Sequence, residues 1–340
     1  MKRISIKDIA RAAGVSPTTV SFVLNGKSEE KRISNEVAEK IRKIAAELKF
    51  NPNQVARGLR TGKTHTIGLI IEDIANNFFA SVARVVEEEA YKNGYKVVYC
   101  STGNNPDKAR ELLHMLKQRQ VDGFIITPTK GMETEIETLK NEKRPIVLLD
   151  RFIPSIDTSY VMVDNFKGSY EITTQLIQSG YRNIGYVSLK DEMIQMEERE
   201  MGYVKALEDA GISWDKRLIK KIAFDISKED QMKELSSFFS NTPELDSVYF
   251  ATNYLGIAGL ECLKKLNKTI PDDLAVVSFD DNDLFRLYNP GISVVSQPIQ
   301  EIGMRAIRIL FDEMSGKISK PLQVRLDPTL IQRESAPVRV

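Results

Sequence analysis

The stretch Ser5-Ile6-Lys7-Asp8-Ile9-Ala10-Arg11-Ala12-Ala13-Gly14-Val15-Ser16-Pro17-Thr18-Thr19-Val20-Ser21-Phe22-Val23-Leu24-Asn25-Gly26 decides what kind of head this chain carries. Ser5 and Asp8 have the spacing of a capping box, in which the hydroxyl and the carboxylate each satisfy a backbone N–H at the helix start. Ile6, Ile9, Ala10 and Ala13 fall on one helical face, and Gly14 supplies a left-handed stop. Ser16 predicts a second N-cap, with Pro17 at the first helical position, where a missing N–H costs nothing. Val20, Val23 and Leu24 point one way before Asn25-Gly26 ends that helix. The short Gly14-Val15-Ser16 link packs the two helices at a steep angle, as in a helix-turn-helix. Ser34 caps a third helix with its apolar stripe at Val37, Ile41, Ile44 and Leu48.

With Val20 and Val23 in the core, Pro17, Thr18, Ser21 and Phe22 face outward. A phenyl ring beside threonine side chains is unusual on a solvated face. It suits a helix in the major groove of DNA, where methyl and ring groups meet thymine methyls. Ser16, Thr19 and Asn25 complete the candidate DNA contacts of this helix. The plain alternative is a three-helix bundle whose second helix only packs. A short basic segment follows, Asn51-Pro52-Asn53-Gln54-Val55-Ala56-Arg57-Gly58-Leu59-Arg60-Thr61-Gly62-Lys63. Gly58 costs about 1 kcal/mol of helix propensity, and so short a helix is marginal alone. A segment that folds only when docked on DNA has this character, and Leu59 between Arg57 and Arg60 reads as an apolar wedge with phosphate clamps. The plain alternative is a flexible basic linker.

Charge supports the same division. The 340 residues carry 48 Lys+Arg and 47 Asp+Glu, a net of +1, but the sum conceals an uneven distribution. Residues 1–64 hold 14 basic and 6 acidic side chains; residues 65–340 hold 34 and 41. A +8 head on a −7 body suggests a nucleic-acid-binding module attached to an acidic domain. Two cysteines give no disulfide framework, and two separated histidines give no metal site. With no signal peptide and no apolar run long enough to span a bilayer, a cytoplasmic protein without membrane or cofactor is expected.

The motifs Ile6-Lys7-Asp8-Ile9-Ala10, Gly14-Val15-Ser16, Thr19-Val20-Ser21 with Leu24-Asn25, and Asn51-Pro52-Asn53 with Ala56-Arg57-Gly58-Leu59 resemble the DNA-binding head of the LacI/GalR family of bacterial transcriptional regulators. The resemblance implies a homodimer on a palindromic operator, with recognition helices in successive major grooves. It also implies paired hinge helices whose Leu59 side chains insert at the central base step. The DNA-contacting residues are then Ser16, Pro17, Thr18, Thr19, Ser21, Phe22, Asn25, Asn53, Ala56, Arg57, Leu59 and Arg60. Phe22 departs from the Arg or His of many members and cannot form a bidentate contact to guanine.

From Thr66 onward, β-rich runs alternate with amphipathic helical stretches. One series is Thr66–Ile71, Lys96–Cys100, Gly123–Thr127 and Ile146–Leu149; a second is Tyr160–Val163, Ile184–Ser188, Ser247–Phe250 and Ala275–Phe279. Helical stretches include Phe79–Asn93, Ala109–Arg119, Gly168–Ser179, Gln231–Ser240 and Leu255–Leu266. The pattern predicts an α/β body of two doubly wound parallel-sheet lobes. The expected domains are a helix-turn-helix head at 1–50, a hinge and linker at 51–64, and an effector-binding, dimerising core at 65–340. Within the core, one lobe takes about 65–160 plus 292–325 and the other about 161–291 plus the C-terminal segment. No Gly-rich dinucleotide fingerprint or phosphate loop follows a strand.

Ligands of such sheets bind at the carboxyl ends of strands. Asp73 follows the first strand, Asp150-Arg151 the fourth, Asn253-Tyr254 the seventh and Asp280-Asp281 the eighth. Carboxylates, amides and rings there suit a polyhydroxylated ligand, although an Asp after a strand is more often a helix cap. The body also resembles the sugar-binding-protein-like core of the same family, from Asp73-Ile74 with Phe78-Phe79 to Phe279-Asp280-Asp281 and Gln297-Pro298. That resemblance places effector contacts on Phe78 and Phe79 from one lobe and on Arg199, Asn253 and Asp280 from the other, with Phe224 as the stacking ring. Asp73 and Asp150 complete the candidate effector site. The expected function is a DNA-binding regulator, a repressor by resemblance, whose operator affinity is set by a sugar or derivative bound between the lobes. The opposing readings are an α/β enzyme on a sugar or nucleotide, for which no partnered base, nucleophile or metal cluster is seen, and a periplasmic solute-binding protein, which the missing signal peptide and the basic head oppose.

Overall fold

The computed structural model describes residues 4–50, 62–190 and 193–339, and divides the chain into two units, Met1–Thr64 and His65–Val340. In the first unit, helices α1 (Ile6–Ala13), α2 (Pro17–Leu24) and α3 (Asn35–Glu47) form where the caps require them. The Ser5 N–H donates to Asp8 at 2.9 Å while the Ser5 hydroxyl accepts from Asp8 N, which closes the capping box. Gly14 ends α1 with φ of 73°, a left-handed conformation that costs a residue without Cβ nothing. Ser16 Oγ accepts from Thr19 N at 3.0 Å and Ser34 Oγ from Val37 N at 3.4 Å. Ile9, Val20, Val23 and Ile41 are buried together, and their removal from water holds three helices too short to persist alone.

The second unit contains two six-stranded sheets. In chain order its elements are β1 (Thr66–Ile71), α4 (Asn77–Lys92), β2 (Lys96–Ser101), α5 (Pro106–Gln118), β3 (Gly123–Ile126), α6 (Glu133–Asn141), β4 (Ile146–Leu149) and β5 (Ser159–Val163). There follow α7 (Asn165–Gln178), β6 (Ile184–Leu189), α8 (Ile194–Asp209), β7 (Ile219–Ile222), α9 (Lys228–Asn241), β8 (Ser247–Phe250), α10 (Asn253–Lys265) and β9 (Ala275–Phe279). The chain ends with α11 (Asp283–Leu287), β10 (Ser293–Ser296), α12 (Ile299–Met314), β11 (Gln323–Leu326) and β12 (Thr329–Ile331). The first sheet has the order β11-β5-β4-β3-β1-β2 and the second β12-β10-β9-β8-β6-β7. Only the β10–β12 pair is antiparallel among the described pairings. The two orders are equivalent, so the lobes repeat one design. Strands buried on both faces read as continuous apolar runs, as Ile146–Leu149 and Gly123–Ile126 do.

The lobe boundaries differ from those read in the sequence. Ser159–Val163 pairs with β4 in the first sheet, and β10 pairs with β9 in the second. The chain therefore passes between lobes near 164, 297 and 327, and segment 292–325 is shared. The reason is pairing: a strand joins the sheet whose edge it can hydrogen-bond, and its own sequence does not say which. Helices α6, α8, α11 and α12 and strands β7, β10, β11 and β12 are not among the elements named from the sequence. Gly202 lets α7 and α8 approach closely, since a Cβ there would lie 2.4 Å from Phe166 O. No described helix is long and apolar enough to cross a membrane. His65 and His114 are exposed, and Cys100 and Cys262 are buried free thiols.

Candidate functional site

The carboxyl ends of both sheets carry a buried polar cluster. In the first lobe Glu72 follows β1, Asn104 follows β2, and Asp150-Arg151 follows β4. Arg151 Nη2 donates to Glu72 Oε2 at 2.7 Å and to Asn104 Oδ1 at 3.2 Å. Its Nε lies 3.6 Å from Asp150 Oδ2. Arg151 is 2% exposed, yet its Nε and Nη1 have no hydrogen-bond partner among the described residues. Buried donors left unpaired cost roughly 1–3 kcal/mol each, which a ligand's oxygens would recover.

The second lobe answers with Arg199 on α8. Its Nε donates to Asn165 Oδ1 at 2.8 Å, its Nη1 to the Ala251 carbonyl at 2.5 Å, and its guanidinium lies 3.6 Å from the centroid of Phe279. Asp280 Oδ2 stands 4.0 Å from Arg199 Nη1, while Asp280 Oδ1 accepts from Gln297 Nε2 at 2.6 Å. Asp150 and Asp280 occupy equivalent places in the repeat. They have φ of 69° and 68°, and their N–H groups donate to Val161 O and Val295 O on the neighbouring strand. Burial pushes the Asp150 carboxyl up to about 6 in spite of Arg151 and Arg199. Burial raises Asp280 in the same direction, with Arg199 and Gln297 opposing it. Three carboxylates, Glu72, Asp150 and Asp280, thus face two guanidinium groups.

The lobes meet here. Asn253 Nδ2 donates to Asn76 Oδ1 at 3.2 Å, and Arg325 Nη1 pairs with Glu198 Oε1 at 2.8 Å. A cavity of about 350 Å³ opens beside the cluster, lined by Asp73, Asn76, Phe224, Asn253, Tyr254 and Asn282 among others. A smaller one of about 150 Å³, lined by Thr129, Arg151, Phe152 and Met193, lies where the same lobes face each other. Amides, carboxylates and two rings set edge-on, Phe224 and Tyr254 with centroids 6.2 Å apart, form a surface for hydroxyl groups and an apolar ligand face.

The sequence-named residues separate into three groups. Asp73, Phe224 and Asn253 line the larger cavity; Asp150, Arg199 and Asp280 lie in the ion cluster. Phe78 and Phe79, 5% and 4% exposed, instead pack into the first lobe's core and line neither cavity. Their position at the start of α4 points them at the sheet, where burial of two rings outweighs exposure to a polar cleft. Asn104, Arg151 and Gln297 were not among the candidate residues. The strand-end rule extended to β2 and β10 reaches Asn104 and Gln297, and Arg151 adjoins Asp150.

In the head, Pro17 and Thr18 are exposed and Ser21 and Phe22 half-buried. Asn25 Nδ2 turns back to Ser21 O at 2.6 Å. Asn53, Ala56, Arg57, Leu59 and Arg60 lie outside the described residues.

A helix-turn-helix head and a two-lobed body with a polar cleft at its strand ends are the parts of a DNA-binding regulator. Comparison with known proteins narrows the class. The profile of bacterial regulatory proteins of the lacI family matches residues 5–53, and that of periplasmic binding protein-like domains matches 173–336. The HTH-type transcriptional regulator RegA of Clostridium saccharobutylicum is 34% identical, with 97% of this chain and 98% of that protein covered. The structure of the transcriptional regulator CelR in complex with cellobiose superposes with a TM-score of 0.73 at 27% identity, covering 98% of this chain and all of the other. The lac repressor dimer bound to operator and the anti-inducer ONPF shares the fold, with a TM-score of 0.85 at 20% identity over 99% of this chain and 100% of that one. The chain belongs to the lacI family of bacterial regulatory proteins. It is a DNA-binding transcriptional regulator.

Proposed function

We propose that the protein is a cytoplasmic repressor, not an enzyme, that binds a palindromic operator as a homodimer and is controlled by a carbohydrate held between its lobes. The observation that carries this reading is the buried cluster at the strand ends, where Arg151 keeps two donors without hydrogen-bond partners among the described residues beside a cavity shared by both lobes. Asp73, Asp150, Arg199, Phe224, Asn253 and Asp280 are assigned to the effector, joined by Arg151 and Gln297. Phe78 and Phe79, packed in the first lobe's core, are not assigned to it. Because these groups come from both lobes, a ligand bridging them favours one lobe angle. A ligand shifts an equilibrium only by its differential affinity for the two states. Coupling of about 1–3 kcal/mol is the usual range, and operator DNA must change ligand affinity by the same factor.

Ser16, Pro17, Thr18, Thr19, Ser21, Phe22 and Asn25 are assigned to the major groove, and Asn53, Ala56, Arg57, Leu59 and Arg60 to the hinge contacts. The reading is tested by thermal unfolding against a panel of sugars and sugar phosphates, followed by operator binding with each ligand that raises the melting temperature. A ligand that stabilises the protein and changes operator affinity supports it. If stabilising ligands leave operator affinity unchanged, effector control is refuted.

A further inference from the structure

The outward face of α2 carries no Arg, Lys or Gln, and its one amide, Asn25, turns its Nδ2 back onto the helix, so no side chain on it is set to read guanine or adenine by paired hydrogen bonds. Thr18, Ser21, Phe22 and Asn25 share that face at the i, i+3, i+4, i+7 spacing of a helix, with Pro17 beside them. The polar groups present are engaged: the Ser16 and Thr19 hydroxyls are 2.9 Å apart, and Ser16 Oγ also caps the helix. Asn25 Nδ2 is bound to Ser21 O at 2.6 Å and lies 3.4 Å from Ser21 Oγ. What remains on the face is exposed Pro17 and Thr18, the latter with both a methyl and a hydroxyl, and the half-buried Phe22 ring. Two cations lie beyond the helix end: Lys27 and Lys31 pair with Glu30 at 3.8 and 2.9 Å, and Lys31 Nζ sits over the Phe22 ring, 5.5 Å from its centroid.

In the major groove the thymine C5-methyl is the one apolar mark a base presents, so such a face discriminates by methyl contact. Resting on the regulatory reading above, we propose that this repressor reads its operator half-sites through thymine methyls, with Phe22 and Thr18 as the specificity-determining residues. Phosphate contacts by the basic residues of the head then position the helix without carrying sequence information. The same contact accepts 5-methylcytosine, which carries a methyl at the same ring position.

The test uses the full-length protein and selection from a random duplex library, with and without the sugars of the effector panel. Each thymine of the recovered half-site is then replaced by deoxyuridine, which removes only the methyl. Affinity is expected to fall about four-fold at one or two positions, the change that one buried carbon produces. Phe22→Ala should make those positions indifferent to the replacement, and Phe22→Arg should move the preference there toward guanine. Selection followed by indifference to deoxyuridine at every thymine overturns the inference alone. A library that yields no enriched sequence overturns the regulatory reading beneath it.

Discussion

Replacing Asp150 by Asn removes a charge that the folded body holds at a cost. The carboxyl sits 8% exposed after β4, where burial raises it from 3.8 to about 6 although Arg151 and Arg199 are near. At about 1.4 kcal/mol for each tenfold change in proton affinity, the ionised form costs on the order of 3 kcal/mol of folding stability above pH 6. Well below pH 4 the group is protonated in both the folded and unfolded chain, and the cost disappears. Between about 4 and 6 the folded state binds more protons than the unfolded one, so this contribution lowers stability as pH rises. Asn keeps the shape and leaves Glu72 and Asp280 against Arg151 and Arg199, two charges against two. Scanning calorimetry on the full chain should show Asp150→Asn more stable than wild type at pH 7.5, by about 5 °C for a body of this size. The difference should shrink toward zero at pH 4. A variant that melts lower than wild type at pH 7.5, or whose advantage is the same at both pH values, would refute the reasoning.

Arg199→Met should abolish any sugar-induced rise in melting temperature. It should also lower the basal value, because an unpaired buried charge at Asp280 typically costs about 3–5 kcal/mol; an unchanged ligand response removes Arg199 from the site. Ser16→Ala deletes the N-cap of α2 and should destabilise the head by about 1 kcal/mol, with weaker operator binding; equal affinity in electrophoretic shifts would show that the cap is dispensable. Gly259→Ala places a Cβ 2.0 Å from the Phe250 ring and should cost about 1–3 kcal/mol in denaturant unfolding. Leu59→Ala is expected to weaken operator binding while sparing salt-sensitive, non-specific binding; equal loss on both sequences discards the wedge role.

The sequence by itself determined the head, because caps act over three or four residues. Ser5 with Asp8, Ser16 with Pro17, Ser34 and Gly14 each place a helix end where the structure has one. Most body strands were legible for a similar reason: a strand buried on both faces is an apolar run bounded by polar residues. The strand-end rule brought Asp73, Asp150, Asn253 and Asp280 forward before their neighbours were known.

The tertiary structure alone decided which lobe owns β5 and β10, since sheet membership is set by the partner edge. It also decided that Phe78 and Phe79 belong to the core. Only the fold joins Glu72 to Arg151, and Asn76 to Asn253 across the cleft. The raised Asp150 carboxyl has the same origin: desolvation is a property of everything packed around a group, and no local pattern of residues encodes it.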